Sequence, residues 1–213
     1  MKLYFSPGAS SFALHVLLRE TGLPFVLEPV DLAQHKLLDG RDYYEINARG
    51  LVPVLELDDG TRLTEQGVIA QYLCDLAGRT DLMPAAGSVD RLRVIEWVSY
   101  VGTELHKSFS PLFWPIDEDM RVLVKNRLRR TLALISRGLE AAPYLTGETF
   151  TAADSYLFNV ASWAARFDLG TEELPGLEAF LRRIAARPSV QAALKAEGPG
   201  LVTIPAGSET LPA

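Results

Sequence analysis

The hydrophobic pattern of this chain changes character near residue 80, and that change restricts the folds open to it. Before that point, short apolar strand patterns alternate with helical periodicity. Strands are predicted over residues 2–5, 25–30, 51–57 and 61–63, and helices over residues 12–21 and 67–76. The order strand–helix–strand followed by strand–strand–helix is thioredoxin-like, so residues 1–78 predict an α/β domain of that type.

The second half of the chain has only helical periodicity. Residues 79–88 include Pro84 and Gly87 and predict a linker. Helices are predicted over residues 89–109, 117–142, 152–168, 177–187 and 190–196. We therefore expect an all-α domain over residues 89–203 and an irregular tail over residues 204–213.

Composition excludes several classes of function. A formal net charge of −6 repels polyanions, so no nucleic-acid partner is expected. No apolar run approaches the roughly 20 residues that a membrane helix needs, and the amino-terminal segment breaks at Pro7-Gly8 before a signal region forms. One cysteine and three scattered histidines predict neither a disulfide nor a metal site. We expect a cytoplasmic protein with no metal and no membrane partner.

The dipeptide Val52-Pro53 is the first motif that indicates a binding function. Gly50 precedes it and a strand follows. A cis bond before Pro53 turns the N–H and C=O groups of Val52 outward, where they can pair with the main chain of an extended peptide. The alternative is an ordinary edge-strand proline.

The segment Thr64-Glu65-Gln66 enters the second predicted helix. Free N–H groups and the positive end of the helix dipole can bind an anion there, and Glu65 offers a counter-charge for a cation. In isolation, these are also ordinary residues for a helix start.

Three segments taken together narrow the interpretation. They read MKLYFSPGASS over residues 1–11, INARGLVPVL over 46–55 and LTEQGVI over 63–69. In order and spacing they resemble the bacterial beta-class glutathione transferases. The resemblance continues through Glu96-Trp97 and through ELHK over 104–107, SPLF over 110–113 and TFTAADSYLF over 149–158, so it covers nearly the whole chain. It implies the glutathione transferase fold and a glutathione site on the first domain.

Glutathione is a peptide with two carboxylates and one ammonium group. Val52 and Pro53 would lie alongside its cysteine, while Gln66 and the helix start suit its γ-glutamyl carboxylate and Glu65 suits its ammonium. The resemblance further implies that Lys107 lines the cleft.

The resemblance also implies a homodimer in which Glu104 projects from the partner subunit. His106 would line the cleft, where it either assists catalysis or is a partly buried structural residue.

The chain departs from the family at Ser10, where the beta class usually has a cysteine. A free thiol titrates near about 8.5, and lowering its pKa by two units requires about 2.7 kcal/mol, which one charge-assisted hydrogen bond plus a helix dipole can supply. Ser10 and Ser11 both begin the first helix, and the sequence does not decide between them. Tyr4 is a weaker candidate for the donor to the thiolate than either serine, because a tyrosine on a strand more often packs in the core. Since serine cannot undergo disulfide exchange, conjugation or addition is favoured over redox chemistry.

The second domain would supply the pocket for a small hydrophobic electrophile. Its candidate residues are Phe109, Phe113 and Trp114. Trp163, His15 and Cys74 are expected to be structural.

The leading interpretation is a glutathione transferase that uses glutathione as co-substrate and has no other cofactor. Two alternatives remain: a non-catalytic ligand-binding or protein-binding module of the same fold, and a glutathione-dependent isomerase or dehalogenase.

Overall fold

The sheet of this protein has five strands. The computed structural model describes residues 1–198, 200 and 202–203, so the tail predicted over residues 204–213 lies outside the described residues. The strands are β1 (Lys2–Phe5), β2 (Val26–Asp31), β3 (Lys36–Leu37), β4 (Val54–Glu56) and β5 (Arg62–Thr64). Their spatial order is β3-β2-β1-β4-β5, with β1 and β2 parallel and the other neighbours antiparallel.

Two helices pack with this sheet, α1 (Ser11–Thr21) and α2 (Gln66–Leu76). Helix α1 ends at Gly22, whose φ of 69° is the left-handed conformation of a helix C-cap. Leu3 and Phe5 of β1 share one buried cluster with Leu14 and Leu17 of α1. The predicted α/β arrangement is confirmed, since strands and helices occur in the expected order.

The sequence missed β3. Residues 31–47 lie between the predicted elements, yet Leu37 and Lys36 of this segment pair with Val30 and Asp31 of β2. A two-residue strand with one buried side chain is too short to produce a detectable period. Its presence makes β2 an interior strand, and β3 pairs with β2 only beyond Pro29, a residue that has no N–H to donate.

The rest of the chain is helical, and the described residues after Thr64 form no strand. Its α-helices are α3 (Val89–Tyr100), α4 (Lys107–Phe109), α5 (Glu118–Ala141), α6 (Ala152–Ala161), α7 (Pro175–Ala185) and α8 (Pro188–Glu197). Ser88 and Asp117 cap α3 and α5 through their side chains. No helix in this part of the molecule is both long enough and apolar enough to cross a membrane. The division of the chain at residues 79–88 stays a prediction.

A π-helical turn interrupts the single helix predicted over residues 89–109. It covers Val101–His106, between α3 and α4. A π-turn re-aims the side chains that follow it, and such turns are frequent at functional sites. Hydrophobic periodicity does not reveal one extra residue in a long helix.

The loop between β1 and α1 is tied to the helical half of the molecule through Gly8. Its carbonyl oxygen accepts from Trp163 Nε1 at 2.9 Å and from Asn159 Nδ2 at 3.1 Å. Its N–H donates to Glu197 Oε2 at 2.9 Å, and the other oxygen of Glu197 is 2.8 Å from His15 Nδ1. The loop that leads into α1 is therefore held on both sides.

Helices α5 and α7 approach each other closely at Gly176. A Cβ atom placed there would overlap the carbonyl oxygen of Ser136 and lie 3.0 Å from the backbone nitrogen of Glu140. Because both obstacles are backbone atoms of α5, we expect Gly176→Ala to lower the free energy of unfolding by about 1–3 kcal/mol. Urea denaturation measures this change.

Gly138 of α5 is the matched control for that substitution. It is exposed, and a Cβ atom there would meet no atom within 4 Å. Gly138→Ala should stabilise the helix by about 0.5–1 kcal/mol. Equal effects of the two substitutions would contradict the close α5–α7 contact.

Candidate functional site

A cleft of about 410 Å³ lies between the starts of α1 and α2 on one side and the end of α3 with its π-turn on the other. Of the residues predicted from the sequence, it brings together Ser10, Val52, Pro53, Glu65, Gln66, His106 and Lys107. It does not bring in Ser11, Glu104, Phe109, Phe113 or Trp114.

The two candidate serines occupy different environments. Ser10 is the N-cap residue of α1, is 6% exposed, and its hydroxyl donates to the carbonyl oxygen of Val52 at 3.4 Å. Ser11 is fully buried; its Oγ accepts from the N–H of Ser6 at 3.3 Å and donates to the Ser6 carbonyl at 3.4 Å. All three contacts are long and weak, but Ser10 lines the cleft, where its hydroxyl can turn toward a ligand, whereas the fully buried Ser11 faces its own loop.

The peptide bond between Val52 and Pro53 is cis, as the sequence suggested. Both residues line the cleft immediately before β4. The carbonyl oxygen of Val52 thus faces the start of α1 through its contact with Ser10.

Glu65 and Gln66 stand at the N-terminus of α2. Glu65 has a φ of 71°, unusual for a residue with a side chain, and its carboxylate pairs with Arg49 at 2.7 Å. Both groups are largely exposed, so this pair contributes little to stability. Arg49 also lines the cleft; it lies in the segment INARGLVPVL quoted above, which gave it no role.

The side chain of Gln66 has no partner in the described part of the chain. Gln66 is 8% exposed, and both its Oε1 and Nε2 atoms are buried without a hydrogen bond. Buried amide groups are nearly always paired in folded proteins, because an unpaired group costs about 1–3 kcal/mol. An orphaned amide in the wall of a cleft, beside a helix N-terminus, indicates a place for a polar ligand.

His106 belongs to a partly buried hydrogen-bonded pair that the sequence did not reveal. Its Nδ1 lies 2.7 Å from the hydroxyl of Tyr156 on α6, which also lines the cleft. Burial lowers the pKa of His106 to about 4, and the charge of Lys107 acts in the same direction. His106 is therefore neutral near pH 7. Tyr156 was quoted within a motif, but nothing local ties it to a residue 50 positions away.

Glu104 and Lys107 differ in their access to the cleft. Lys107 is exposed and lines the cleft. Glu104 does not line it; its carboxylate pairs with Arg127 of α5 at 3.1 Å, and its side chain is 45% exposed.

The three aromatic candidates differ in their exposure. Phe109 is fully buried and packs edge-on against Trp163 with ring centroids 5.7 Å apart, so it has no surface to offer a substrate. Phe113 and Trp114 are 42% and 63% exposed. Phe113 also packs edge-on against Trp163, at 5.8 Å. Phe109 thus lies in the core behind the exposed aromatic residues, because α4 turns it inward.

Cys74 and Tyr4 are too buried to react with a ligand in the cleft. Cys74 is 1% exposed, and burial raises its pKa to about 12, so its thiol stays protonated. Tyr4 is 1% exposed and donates to Glu56 at 3.3 Å. Within residues 1–198, 200 and 202–203, no three acidic, histidine or cysteine side chains cluster as metal ligands.

Comparisons with known proteins agree with this geometry. The family models "Glutathione S-transferase, N-terminal domain" and "Glutathione S-transferase, C-terminal domain" match residues 9–76 and 100–188. Glutathione S-transferase GstA of Escherichia coli O157:H7 is 45% identical over 199 residues, which cover 93% of this chain and 99% of that protein.

Two solved structures are similar over nearly their whole length. A sphingomonad glutathione S-transferase complexed with glutathione is 40% identical, with a TM-score of 0.90 and coverage of 94% of this chain and 100% of that chain. A bacterial beta-class glutathione S-transferase of Sphingomonas chungbukensis is 41% identical, with a TM-score of 0.90 and coverage of 93% and 99%.

Proposed function

The chain belongs to the glutathione S-transferase family of enzymes, in a branch similar to the bacterial beta class, and from that premise we propose that it binds glutathione in the cleft described above. There it activates the glutathione thiol for attack on small hydrophobic electrophiles. The observation that carries this proposal is the buried, unpartnered amide of Gln66 at the α2 N-terminus.

The γ-glutamyl end of glutathione would occupy the start of α2. Its carboxylate would accept from Gln66 Nε2 and from free N–H groups of the first helical turn. Its ammonium would displace Arg49 from Glu65, which leaves the Arg49 guanidinium free in a cleft that receives a peptide of net negative charge. The main chain of the tripeptide would pair with Val52.

This placement brings the glutathione cysteine toward the first turn of α1. Ser10 would donate its hydroxyl hydrogen to the sulfur, and the positive end of the α1 dipole would act in the same direction. The thiol proton leaves to solvent and the thiolate forms a carbon–sulfur bond. In a substitution a leaving group departs with the bonding electrons; in an addition to an activated double bond the resulting carbanion takes a proton from solvent. The exposed rings of Phe113 and Trp114 would border the electrophile.

We expect Gln66→Ala and Glu65→Ala each to weaken glutathione binding by about 1–2 kcal/mol, since each removes a partner of a charged group. Isothermal titration calorimetry with glutathione measures this, together with turnover of a generic aryl halide. Gln191→Ala is the control: its amide donates to the carbonyl of Ala185 at 2.6 Å, outside the cleft.

The same experiment separates the alternatives. Unchanged affinity in both variants would place the γ-glutamyl group elsewhere. Tight glutathione binding without any turnover would favour a binding module of the same fold over an enzyme.

We further propose a two-fold homodimer in the cytoplasm, with Glu104 of each subunit reaching the other subunit's glutathione. Within the described part of the chain, the Glu104 carboxylate takes part in one surface pair, with Arg127, and such a pair is weak enough to exchange for a new partner. Light scattering at micromolar concentration should give the mass of a dimer. Glu104→Ala should weaken glutathione binding while the protein remains a dimer. A strictly monomeric protein that binds glutathione normally would rule this arrangement out.

A further inference from the structure

Tyr156 and His106 form a hydrogen-bonded pair in the wall of the cleft. The Tyr156 hydroxyl is 2.7 Å from His106 Nδ1, and the two rings meet edge-on with centroids 5.8 Å apart. His106 also packs edge-on against the buried Trp163, at 5.2 Å. The imidazole is thus held by a hydrogen bond at one nitrogen and by two aromatic rings, which fixes its orientation.

The position of Tyr156 is also constrained. It lies on α6, is 4% exposed, and faces the π-helical turn at Gly102. A Cβ atom at Gly102 would lie 3.7 Å from both the Tyr156 hydroxyl and its Cε1. The backbone of the π-turn therefore packs close to the phenol, and the same turn ends at His106.

We propose that Tyr156 is a positioning residue that fixes the tautomer of His106, so that His106 presents its Nε2–H group to the sulfur of bound glutathione. This inference rests on the proposed function.

The direction of the hydrogen bond follows from the chemistry of the two groups. A phenol O–H is a stronger donor than an imidazole N–H, and a bare imidazole nitrogen is a better acceptor than a phenol oxygen. Burial raises the pKa of Tyr156, and the negative charge of Glu65 adds to this effect, so the phenol keeps its proton. Tyr156 thus donates to Nδ1, and a neutral imidazole in that bond carries its single proton on Nε2.

A neutral N–H group suits this site. It donates a hydrogen bond to a thiolate, yet it is far too weak an acid to transfer its proton to the sulfur. An imidazolium ion could do both. Burial keeps His106 neutral near pH 7, so His106 would add a second hydrogen-bond donor to that of Ser10 without protonating the thiolate.

Nitrogen-15 NMR of selectively labelled histidines tests the tautomer directly. The chain has three histidines, and His106→Gln assigns the resonances of His106. We expect the Nε2–H tautomer in the wild type and a mixture of tautomers in Tyr156→Phe. In that variant the pKa of the bound thiol should rise and kcat/KM near neutral pH should fall about 3- to 10-fold, the equivalent of one neutral hydrogen bond. Glutathione affinity should stay within about 2-fold, since the carboxylates hold the peptide.

A double-mutant comparison shows whether Tyr156 acts through His106. In a His106→Gln background, Tyr156→Phe should produce no further change in the thiol pKa. Tyr144→Phe is the matched control: Tyr144 packs against Phe150 outside the cleft, so its substitution should alter neither tautomer nor rate.

Three results would overturn the proposal: an Nδ1–H tautomer in the wild type, an unchanged tautomer in Tyr156→Phe, or a lower melting temperature in that variant as its only effect. Absence of glutathione binding by the wild type would instead overturn the proposed function and the role toward sulfur. The tautomer in the ligand-free protein would still decide whether Tyr156 orients His106.

Discussion

Ser10→Ala is expected to raise the pKa of the bound glutathione thiol and to slow conjugation near neutral pH by about 10- to 100-fold, the loss of one charge-assisted hydrogen bond. Glutathione affinity should be largely kept, because the carboxylates and the main chain hold the peptide away from the reacting sulfur. A thiolate absorbance titration of the complex measures the pKa, and steady-state kinetics measure the rate. Equal thiol pKa values in wild type and variant would remove Ser10 from the proposed mechanism.

Ser10→Cys provides the complementary test at the same position. A thiol at a helix N-terminus has a lowered pKa and can attack oxidised glutathione, which forms a mixed disulfide and releases one molecule of reduced glutathione. Intact-protein mass spectrometry should show the glutathione adduct in Ser10→Cys and none in the wild type, whose only cysteine is the buried Cys74.

Ser11→Ala is the matched control for Ser10→Ala. Ser11 bonds to both backbone groups of Ser6, so its loss should affect stability more than the thiol pKa. If Ser11→Ala raises the thiol pKa while Ser10→Ala does not, the activating donor is Ser11.

Asp154→Ala is expected to lower the free energy of unfolding by about 3–5 kcal/mol, among the largest effects of a single substitution. The carboxylate is fully buried and accepts three bonds of 2.8 Å, from the N–H groups of Leu145 and Thr151 and from the Thr151 hydroxyl. With Thr151 it forms the capping box of α6, the helix that carries Tyr156. Removing it leaves backbone donors without partners at the start of a buried helix.

Urea denaturation checks this value. Burial raises the pKa of Asp154 to about 6, so the measurement belongs at about pH 8, where the carboxylate is ionised. Glu178→Ala is the control, since it removes an exposed pair with Arg182 on α7 and should cost under about 0.5 kcal/mol. A similar small loss for Asp154→Ala would mean that the capping box contributes little.

The regular elements could be predicted because their signals are local. β1 was predicted at its observed bounds, and α1 ends at Thr21, the predicted last residue, immediately before Gly22. The hairpin of β4 and β5 turns through Asp58-Asp59-Gly60, a turn-forming tripeptide, and Thr151 and Asp154 cap α6 from within its first turn. Each of these features depends on hydrophobic period, turn chemistry or capping within a few residues.

The features that escaped prediction depend on distant parts of the chain. β3 exists only because Leu37 and Lys36 find partners in β2, and the π-turn before α4 leaves the apolar pattern intact. The Arg49–Glu65 and His106–Tyr156 contacts join residues 16 and 50 positions apart.

The two serines at the start of α1 show what the sequence determined by itself and what it left to the tertiary structure. The strand, the turn and the helix start follow from local pattern, and they place two hydroxyls where a helix dipole can act on an anion. Which hydroxyl meets the cleft depends on two other residues. Val52, 42 positions away, accepts from the Ser10 hydroxyl, and the backbone of Ser6 forms hydrogen bonds with the Ser11 hydroxyl. Adjacent residues at a helix start point in different directions, and only the packing of β4 against β1 decides which direction faces the open space.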